Sequence, residues 1–238
     1  MGGLCTLADV KILLGIPTAT TTYDSKITLF INRVTSLCVK YLGYPVKYAT
    51  YTSEQYAINQ SQLLYLLAKP IQTCTTVILG DRTLTDETSI NGSDGYQMSP
   101  ADAMAGRLYR GNGWVGHWFT REMTYDPFAG EREIKITYGA GWKYPDDSGY
   151  SLADAMNEGT TVKTSLPYGI TEACSNEVLE IYRRNAAGAE GLSSYSEGGE
   201  AWGFGSKRGK PPGSIPDSCG LSEGTQGMLN AYRRWGIG

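Results

Sequence analysis

The sequence has little of what most enzymes, membrane proteins and secreted proteins require. It contains one histidine, His117, and offers no convincing Ser-His-Asp arrangement and no zinc site of the usual ligand spacing. No apolar run approaches the ~20 residues that a membrane-spanning helix needs. No charged-then-apolar segment opens the sequence, so we expect no secretory leader. These shortages predict a protein that is not an enzyme, binds no cofactor or metal and does not enter a membrane.

Cysteines are few and widely spaced. They number five, at positions 5, 38, 74, 174 and 219, and no C-x-x-C occurs. Cys38 and Cys174 fall on apolar faces of predicted helices, where a free cysteine behaves as a small hydrophobic residue. An odd number without a paired spacing indicates reduced thiols, in a protein assembled in a cytosol.

Charge is also scarce. Charged residues make up 19% of the chain, and the net charge is −3. This balance argues against binding nucleic acid by neutralising phosphates, although it is compatible with a wall past which DNA slides. The one basic cluster is Lys207, Arg208 and Lys210, which is too small to define a nucleic-acid site. We interpret it as a contact for a protein partner in preference to DNA phosphates.

Three other motifs suggest chemistry or ligand binding. Residues 111–116 match G-x-G-x-x-G, but no amphipathic helix follows, so a nucleotide site is disfavoured. Carboxylate pairs occur at Asp146-Asp147, Asp86-Glu87 and Glu131 with Glu133. A glycosidase needs two carboxylates at a fixed separation, which a sequence does not reveal, and a peptidoglycan hydrolase stays as an alternative. A carbohydrate-binding module is a second alternative, which would use Trp114, Trp118 and Trp142.

Apolar periodicity predicts helices. The firmest case is 24–42, in which Asp24 is the candidate N-cap and Gly43 the stop signal. Its buried stripe is expected to be Ile27, Phe30, Ile31, Val34, Leu37, Cys38, Tyr41 and Leu42. The other predicted helices are 6–14, 167–186 and a short one within 222–235 that Ser222 and Glu223 begin, with a helical piece near 151–157. The expected inner face of 167–186 is Ile170, Ala173, Cys174, Glu177 or Val178, and Ile181.

Between the helices the pattern changes to alternation. Ile134, Ile136 and Tyr138 alternate with polar residues, which predicts one buried and one exposed face of a strand. The predicted strands are 46–52, 62–67, 74–79, 82–84, 106–110 and 132–138. The predicted fold class is α+β, a helical bundle with a small, mostly antiparallel sheet.

The predicted domain organisation has three parts. A core of 1–187, with long loop insertions at about 86–131 and 143–165, precedes an extended glycine-rich arm at 188–221 and a docking helix at 222–238. The arm contains Tyr195, Trp202 and Phe204, so it is expected to become ordered against something. Isolated helices of fewer than ~12–15 residues are marginal in water, so the last helix must pack on its own domain or on a partner.

The order of these elements resembles a known family. A T-L-x-D-V-K-x-x-L-G segment (6–15) precedes a helix ending near Y-L-G-Y (41–44). Small strands follow, then I-T-Y-G-A-G-W (136–142) and a helix ending in Y-R-R-N-A-A-G (182–188), with a terminal Y-R-R last. The set is similar to the head–tail connector, or adaptor, head-completion proteins of tailed bacteriophages.

The resemblance implies a virion structural protein in the neck between portal and tail, assembled in the host cytoplasm. It implies a homo-oligomeric ring, expected to be dodecameric, that binds the portal and a tail or nozzle protein while DNA passes through its lumen without sequence-specific binding. Carried over, the portal-docking residues are Met228, Leu229, Tyr232, Arg233, Arg234 and Trp235. The arm or neighbouring-subunit contacts are Tyr195, Trp202, Phe204, Lys207, Arg208 and Lys210.

Overall fold

The computed structural model describes residues 2–57, 61–80, 82–87, 95–114, 133–157, 162–186, 194–197, 200–203 and 220–233. The elements in chain order are α1 (Leu7–Leu13), α2 (Asp24–Leu42), β1 (Ala49–Ala57), β2 (Leu63–Tyr65), β3 (Ile71–Leu79), β4 (Arg82–Leu84), α3 (Pro100–Ala105), β5 (Arg107–Tyr109), β6 (Glu133–Ala140), α4 (Leu152–Met156), α5 (Tyr168–Ala186), β7 (Ser194–Glu197), β8 (Glu200–Gly203) and α6 (Glu223–Leu229). The α+β class is confirmed.

The chain divides into two compact units. The helical unit comprises Met1–Tyr44, Tyr144–Met156 and Ser165–Gly238, and the sheet unit comprises Pro45–Lys143 and Asn157–Thr164. The predicted core of 1–187 therefore spans both units. The segment after Gly220 belongs to the helical unit together with the N-terminal helices.

The helical unit is built on α2 and α5, which pack against each other. On α2, six of the eight residues of the expected stripe are buried and Leu37 and Tyr41 are half-buried. Gly43 ends the helix with φ of 79°, a left-handed conformation that glycine adopts without strain. On α5, the buried face includes Ile170, Ala173, Cys174 and Val178, as the periodicity predicted.

The prediction that Asp24 is the N-cap of α2 is wrong. Tyr23 is the capping residue and makes no side-chain cap bond, whereas Asp24 is the first helical residue. Its Oδ1 lies 2.5 Å from Nζ of Lys11 on α1, whose side chain is 3% exposed. Lys11 also donates to the carbonyl of Thr18 at 2.9 Å. A buried ammonium requires a carboxylate partner, so Asp24 serves the α1–α2 pairing and not the helix end.

The sheet unit contains a four-stranded antiparallel sheet of order β1-β6-β3-β4 and a two-stranded sheet of β2 and β5. On β6, Ile134, Ile136 and Tyr138 are buried and Lys135 is exposed, which confirms the predicted alternation. Because β6 pairs with both β1 and β3, its inward side chains lie at the centre of this unit's core.

The G-A-G sequence at the end of β6 (139–141) has a steric basis. Gly141 has φ of +98°, and a Cβ there would lie 2.6 Å from the carbonyl oxygen of Lys47. A Cβ at Gly139 would lie 2.6 Å from the Tyr48 hydroxyl oxygen. The two glycines of the G-A-G sequence therefore allow the segment before β1 to approach β6 closely, as Tyr48 N donates to Trp142 O at 2.8 Å.

Two predicted irregular segments contain regular structure. Within the predicted insertion 86–131, Ser99 caps α3 by accepting from Asp102 N at 3.2 Å, and Gly106 ends it with φ of 71°. Within the predicted arm 188–221, β7 and β8 pair as an antiparallel hairpin, with Glu197 opposite Glu200. The two residues between them in the sequence are Gly-Gly, a pair that favours hairpin turns. The helical piece near 151–157 is confirmed as α4.

The buried ion pair gives a test of the helical unit. We expect Asp24→Asn to lower the free energy of unfolding by about 2–3 kcal/mol, because it leaves the Lys11 ammonium buried without its counter-charge. Urea unfolding followed by far-UV circular dichroism measures this. Glu172→Gln, at an exposed position on α5, is the matched control. An Asp24→Asn variant as stable as the control would contradict the assignment.

Candidate docking surface at the C-terminal helix

The C-terminal helix α6 packs on its own unit, against α5 and α2. Leu229 is fully buried there, and Leu221, just before the helix, is 7% exposed. The expectation that the last helix must dock is therefore met inside the chain. With seven residues, α6 depends on these contacts for its stability.

A buried carboxylate holds the start of α6. Glu177, on α5, is 5% exposed. Its Oε2 accepts from Ser222 N at 3.0 Å, from Ser222 Oγ at 2.7 Å and from Thr225 Oγ1 at 2.7 Å. Ser222 is also the N-cap of α6, accepting from Thr225 N at 3.3 Å, as predicted for a helix start. One carboxylate oxygen thus satisfies the side chains that begin the helix.

The residues after α6 are held by two tyrosines at the end of α2. The Tyr41 hydroxyl donates to Asn230 Oδ1 at 2.6 Å, and the Tyr44 hydroxyl donates to Tyr232 O at 3.0 Å. The Arg233 guanidinium lies over the Tyr41 ring, 4.7 Å from its centroid. Burial raises the pKa of Tyr44 above its ordinary value, so this hydroxyl stays a donor at neutral pH. The Y-L-G-Y segment thereby holds the terminal Y-R-R segment.

The predicted portal-docking residues differ in how far they are exposed to a partner. Arg233 is exposed, and Met228 and Tyr232 are half-buried. Leu229 fills the core of the helical unit, because its position on the inward face of α6 points it at α5 and α2; a partner reaches it only if α6 undocks. Arg234 and Trp235 lie outside the described residues.

The predicted arm contacts are placed only in part. Tyr195 and Trp202 are directly opposite each other in the β7–β8 hairpin. Phe204, Lys207, Arg208 and Lys210 lie outside the described residues.

A second polar cluster lies in the sheet unit. Oε2 of Glu54 accepts from the hydroxyls of Tyr56 and Tyr138, each at 2.5 Å, and the Tyr56 hydroxyl accepts from Leu67 N at 2.9 Å. A bulge in β1 between Tyr51 and Glu54 precedes this carboxylate. Burial, together with the hydrogen bonds to Glu54, raises the pKa of both Tyr56 and Tyr138 above the ordinary range. Both phenols therefore remain protonated donors, and the cluster joins β1 to β6.

The bulge that precedes Glu54 contacts β6 through one hydrogen bond and one pair of stacked rings. Ser53 has φ of 52°, a conformation that few residues other than glycine adopt, and its N donates to Thr137 Oγ1 at 3.0 Å. The Tyr51 ring stacks on Tyr138 at a centroid distance of 4.9 Å. Both contacts join β1 to β6 and account for the register shift.

The G-x-G-x-x-G match serves packing. Trp114 is fully buried, its indole N–H donates to Gln62 O at 3.1 Å, and Arg110 Nη1 donates to Gly113 O at 2.5 Å. The turn at 111–113 thus delivers a tryptophan to the core of the sheet unit. Trp142 is 3% exposed, so neither tryptophan offers a face on which a sugar stacks. Trp118 lies outside the described residues, as does His117.

One carboxylate of each of two predicted pairs accepts a hydrogen bond from the backbone. Asp147 Oδ2 accepts from Tyr144 N at 2.9 Å, and Glu87 Oε1 accepts from Gly95 N at 3.0 Å. In the described ranges, no group of three or more histidine, cysteine or acidic side chains is arranged to hold a metal ion. Across the same ranges, no helix combines the length and apolar character needed to cross a membrane.

Comparison with known proteins finds similarity to a solved structure. No family model matches the chain, and no curated protein matches it. A solved structure described as "Neck of empty GTA particle computed with C6 symmetry" is similar to it at a TM-score of 0.44 and 14% identity, covering 97% of this chain and 91% of that one. At that TM-score the similarity supports no conclusion about function.

The Glu177 network gives a test of α6 docking. We expect Glu177→Ala to remove the acceptor of three hydrogen bonds and to weaken docking by about 2–3 kcal/mol, which is a loss of roughly 30–160-fold in amide protection across 223–230. Hydrogen exchange by mass spectrometry measures it. Glu172→Ala, on the exposed side of the same helix, should leave protection unchanged. Equal protection in both variants would contradict the role of Glu177.

The tyrosine cluster gives a test in the sheet unit. Tyr138→Phe should lower the free energy of unfolding at pH 7 by about 1–2 kcal/mol, because Glu54 loses a charged hydrogen bond. Because the pKa of Tyr138 is higher in the folded than in the unfolded protein, the stability that its hydroxyl contributes is present below pH ~10 and is lost as the pH rises above that value. The variant should therefore lose less stability between neutral and alkaline pH than the wild type. The control at pH 7 is Tyr48→Phe, because Tyr48 is 38% exposed.

Proposed function

We propose that this chain is a structural subunit of the neck of a phage-type particle, an adaptor that joins the portal vertex to the tail. One observation carries the proposal. Four of the segments that resemble the connector family, 6–15, 41–44, 182–188 and the terminal Y-R-R, belong to the helical unit, whereas 136–142 belongs to the sheet unit. Most of the resemblance is therefore to one set of packed helices and their ends.

The surface of the helical unit suits a subunit of an assembly. Large apolar side chains are exposed on three of its helices: Ile12 at 65%, Leu13 at 51%, Leu29 at 64%, Leu152 at 54% and Met156 at 59%. Methionine is enriched at interfaces, and side chains of this kind would be buried between the subunits of an assembly. We propose that neighbouring copies of the chain cover part of this surface in a ring, expected to contain twelve subunits.

The charge balance suits a channel through which DNA moves. A net charge of −3 does not favour tight phosphate binding, so DNA passing through the lumen would not be retained. The alternatives receive less support: Trp114 and Trp142 are buried, which disfavours a carbohydrate module, and Asp147 and Glu87 are engaged in local turns, which disfavours a paired hydrolase site.

We propose that the portal contact uses the outer side of the α6 region while α6 stays docked. Arg233 and the half-buried Met228 are presented there, with Arg234 and Trp235 following in sequence. Leu229 and Glu177 hold the helix in place and do not themselves contact the portal. The tail or nozzle protein would bind elsewhere on the ring.

The test is binding to the portal protein of the same particle. We expect the full chain to co-sediment with portal rings, and native mass spectrometry to give a bound ring of twelve. Arg233→Ala should weaken binding by about 5–30-fold, the effect of truncating one interface anchor. Arg33→Ala, an exposed arginine on α2, should not. A wild-type chain that does not bind portal would overturn the function, whereas equal binding by both variants would overturn only the docking site.

A further inference from the structure

Three thiols meet inside the helical unit from separate parts of the sequence. Cys5 precedes α1, Cys38 lies on α2 and Cys174 lies on α5, and all three are buried and unpaired. Sγ of Cys5 lies 3.6 Å from Sγ of Cys174. No part of the proposed assembly function uses these residues, and a core position alone does not require three thiols at one point.

We propose that Cys5 and Cys174 are an oxidative modification site, at which a low-molecular-weight disulfide such as glutathione disulfide converts the two thiols into an intramolecular disulfide. The cross-link would attach the segment before α1 covalently to α5. The inference is independent of the proposed function, since it rests on the geometry of the pair.

Distance favours this pairing. A disulfide has its sulfurs at about 2.05 Å, so the sulfurs of Cys5 and Cys174 must approach by about 1.6 Å. Cys5 lies in residues 2–5, which belong to no helix or strand. That segment is tied to α2 by a hydrogen bond from Leu4 N to Thr35 Oγ1 at 3.1 Å. Cys174 is fixed within α5, so the adjustment is expected at Cys5, which lies outside any helix or strand.

The surroundings make the two thiols unequal. The hydrogen bond with Cys174 lowers the pKa of the Cys5 thiol, against the opposing effect of burial. Hydrogen bonds with Cys38 and Cys5, together with burial, raise the pKa of Cys174 well above its ordinary value. Because the thiolate is the nucleophile in thiol–disulfide exchange, Cys5 is the thiol that reacts first.

The reaction proceeds in two exchanges. When the segment before α1 opens, the Cys5 thiolate attacks one sulfur of glutathione disulfide, which breaks that S–S bond and releases one glutathione thiolate. Cys174 then loses its proton, and its sulfur attacks Sγ of Cys5 and expels the second glutathione thiolate. The two released thiolates take up the two protons. The protein pair is oxidised by two electrons, and one glutathione disulfide is reduced to two glutathiones.

The primary test needs no variant. The folded, reduced full chain is incubated with excess glutathione disulfide, its remaining thiols are blocked with N-ethylmaleimide, and it is digested without reductant for mass spectrometry. We expect the peptide pair that joins Cys5 to Cys174 to be the main cross-link, and free thiols to fall from five by two. The same chain unfolded in urea shows that the oxidant is active.

Any other result in the folded chain overturns the proposal. A main cross-link through Cys38 would do so, as would glutathione adducts without a Cys5–Cys174 peptide, or unreacted thiols under conditions that oxidise the unfolded chain. As a second readout, oxidation should raise the Tm of the helical transition by roughly 5–10 °C. Cys38→Ala should keep that shift and Cys174→Ala should lose it. A shift that persists in Cys174→Ala would also overturn the proposal.

Discussion

The helical unit depends on the carboxylate of Glu177, which is buried because it lies on the apolar face of α5. Glu177 follows Cys174 and precedes Val178 on the inward face of α5, where an ionised group without partners is strongly destabilising. The three donors that satisfy it come from Ser222 and Thr225, some 45 residues further along the chain. Without the C-terminal segment, Glu177 would be left on this face without these three donors. The last helix is part of this core as much as it is an appendage.

The sheet unit follows the same rule at a different position. Glu54 follows the bulge in β1, is half-buried, and accepts at Oε2 from the hydroxyls of Tyr56 and Tyr138. In both units one carboxylate oxygen receives several donors and joins two elements, α5 to the start of α6 and β1 to β6. A buried polar network that is only partly hydrogen-bonded is less stable than an apolar contact. Each cluster therefore favours the one strand register or helix position in which all of its hydrogen bonds form.

Local sequence patterns predicted the elements that bury one face and expose the other. The stripe on α2, the alternation of β6 and the start of α6 at Ser222 all follow from periodicity and capping preferences, which depend on neighbouring residues only. Asp24 was assigned wrongly because a cap and an ion pair require the same residue type, and only the burial of Lys11 decides between them. The Ser99-Pro100 start of α3 and the Gly198-Gly199 hairpin link are sequence signals too, but they lie in glycine-rich and polar surroundings without the apolar stripe that marks the longer elements.

What periodicity could not supply is the pairing between distant positions. It placed Glu177 on the inner face of α5 without indicating which groups would meet it, and it placed Cys38 and Cys174 on apolar faces without bringing Cys5 to them. Such pairings depend on how helices from opposite ends of the sequence pack. The candidate docking residues show the consequence, since Leu229 and Arg233 lie four positions apart and yet one is core and the other is exposed.

This division of roles constrains how the C-terminal region can act in an assembly. If a partner bound the inward face of α6, it would first have to expose Leu229 and leave Glu177 without its donors, a cost of several kcal/mol that the new contacts would need to exceed. If it bound the outward side, Met228 on α6 and Arg233 after it would be presented on a segment already ordered by Glu177, Tyr41 and Tyr44, and little conformational entropy would be lost on association. The second arrangement requires no rearrangement of the core. A chain whose terminal helix is held from within is thus prepared to bind through its outer side as a rigid surface.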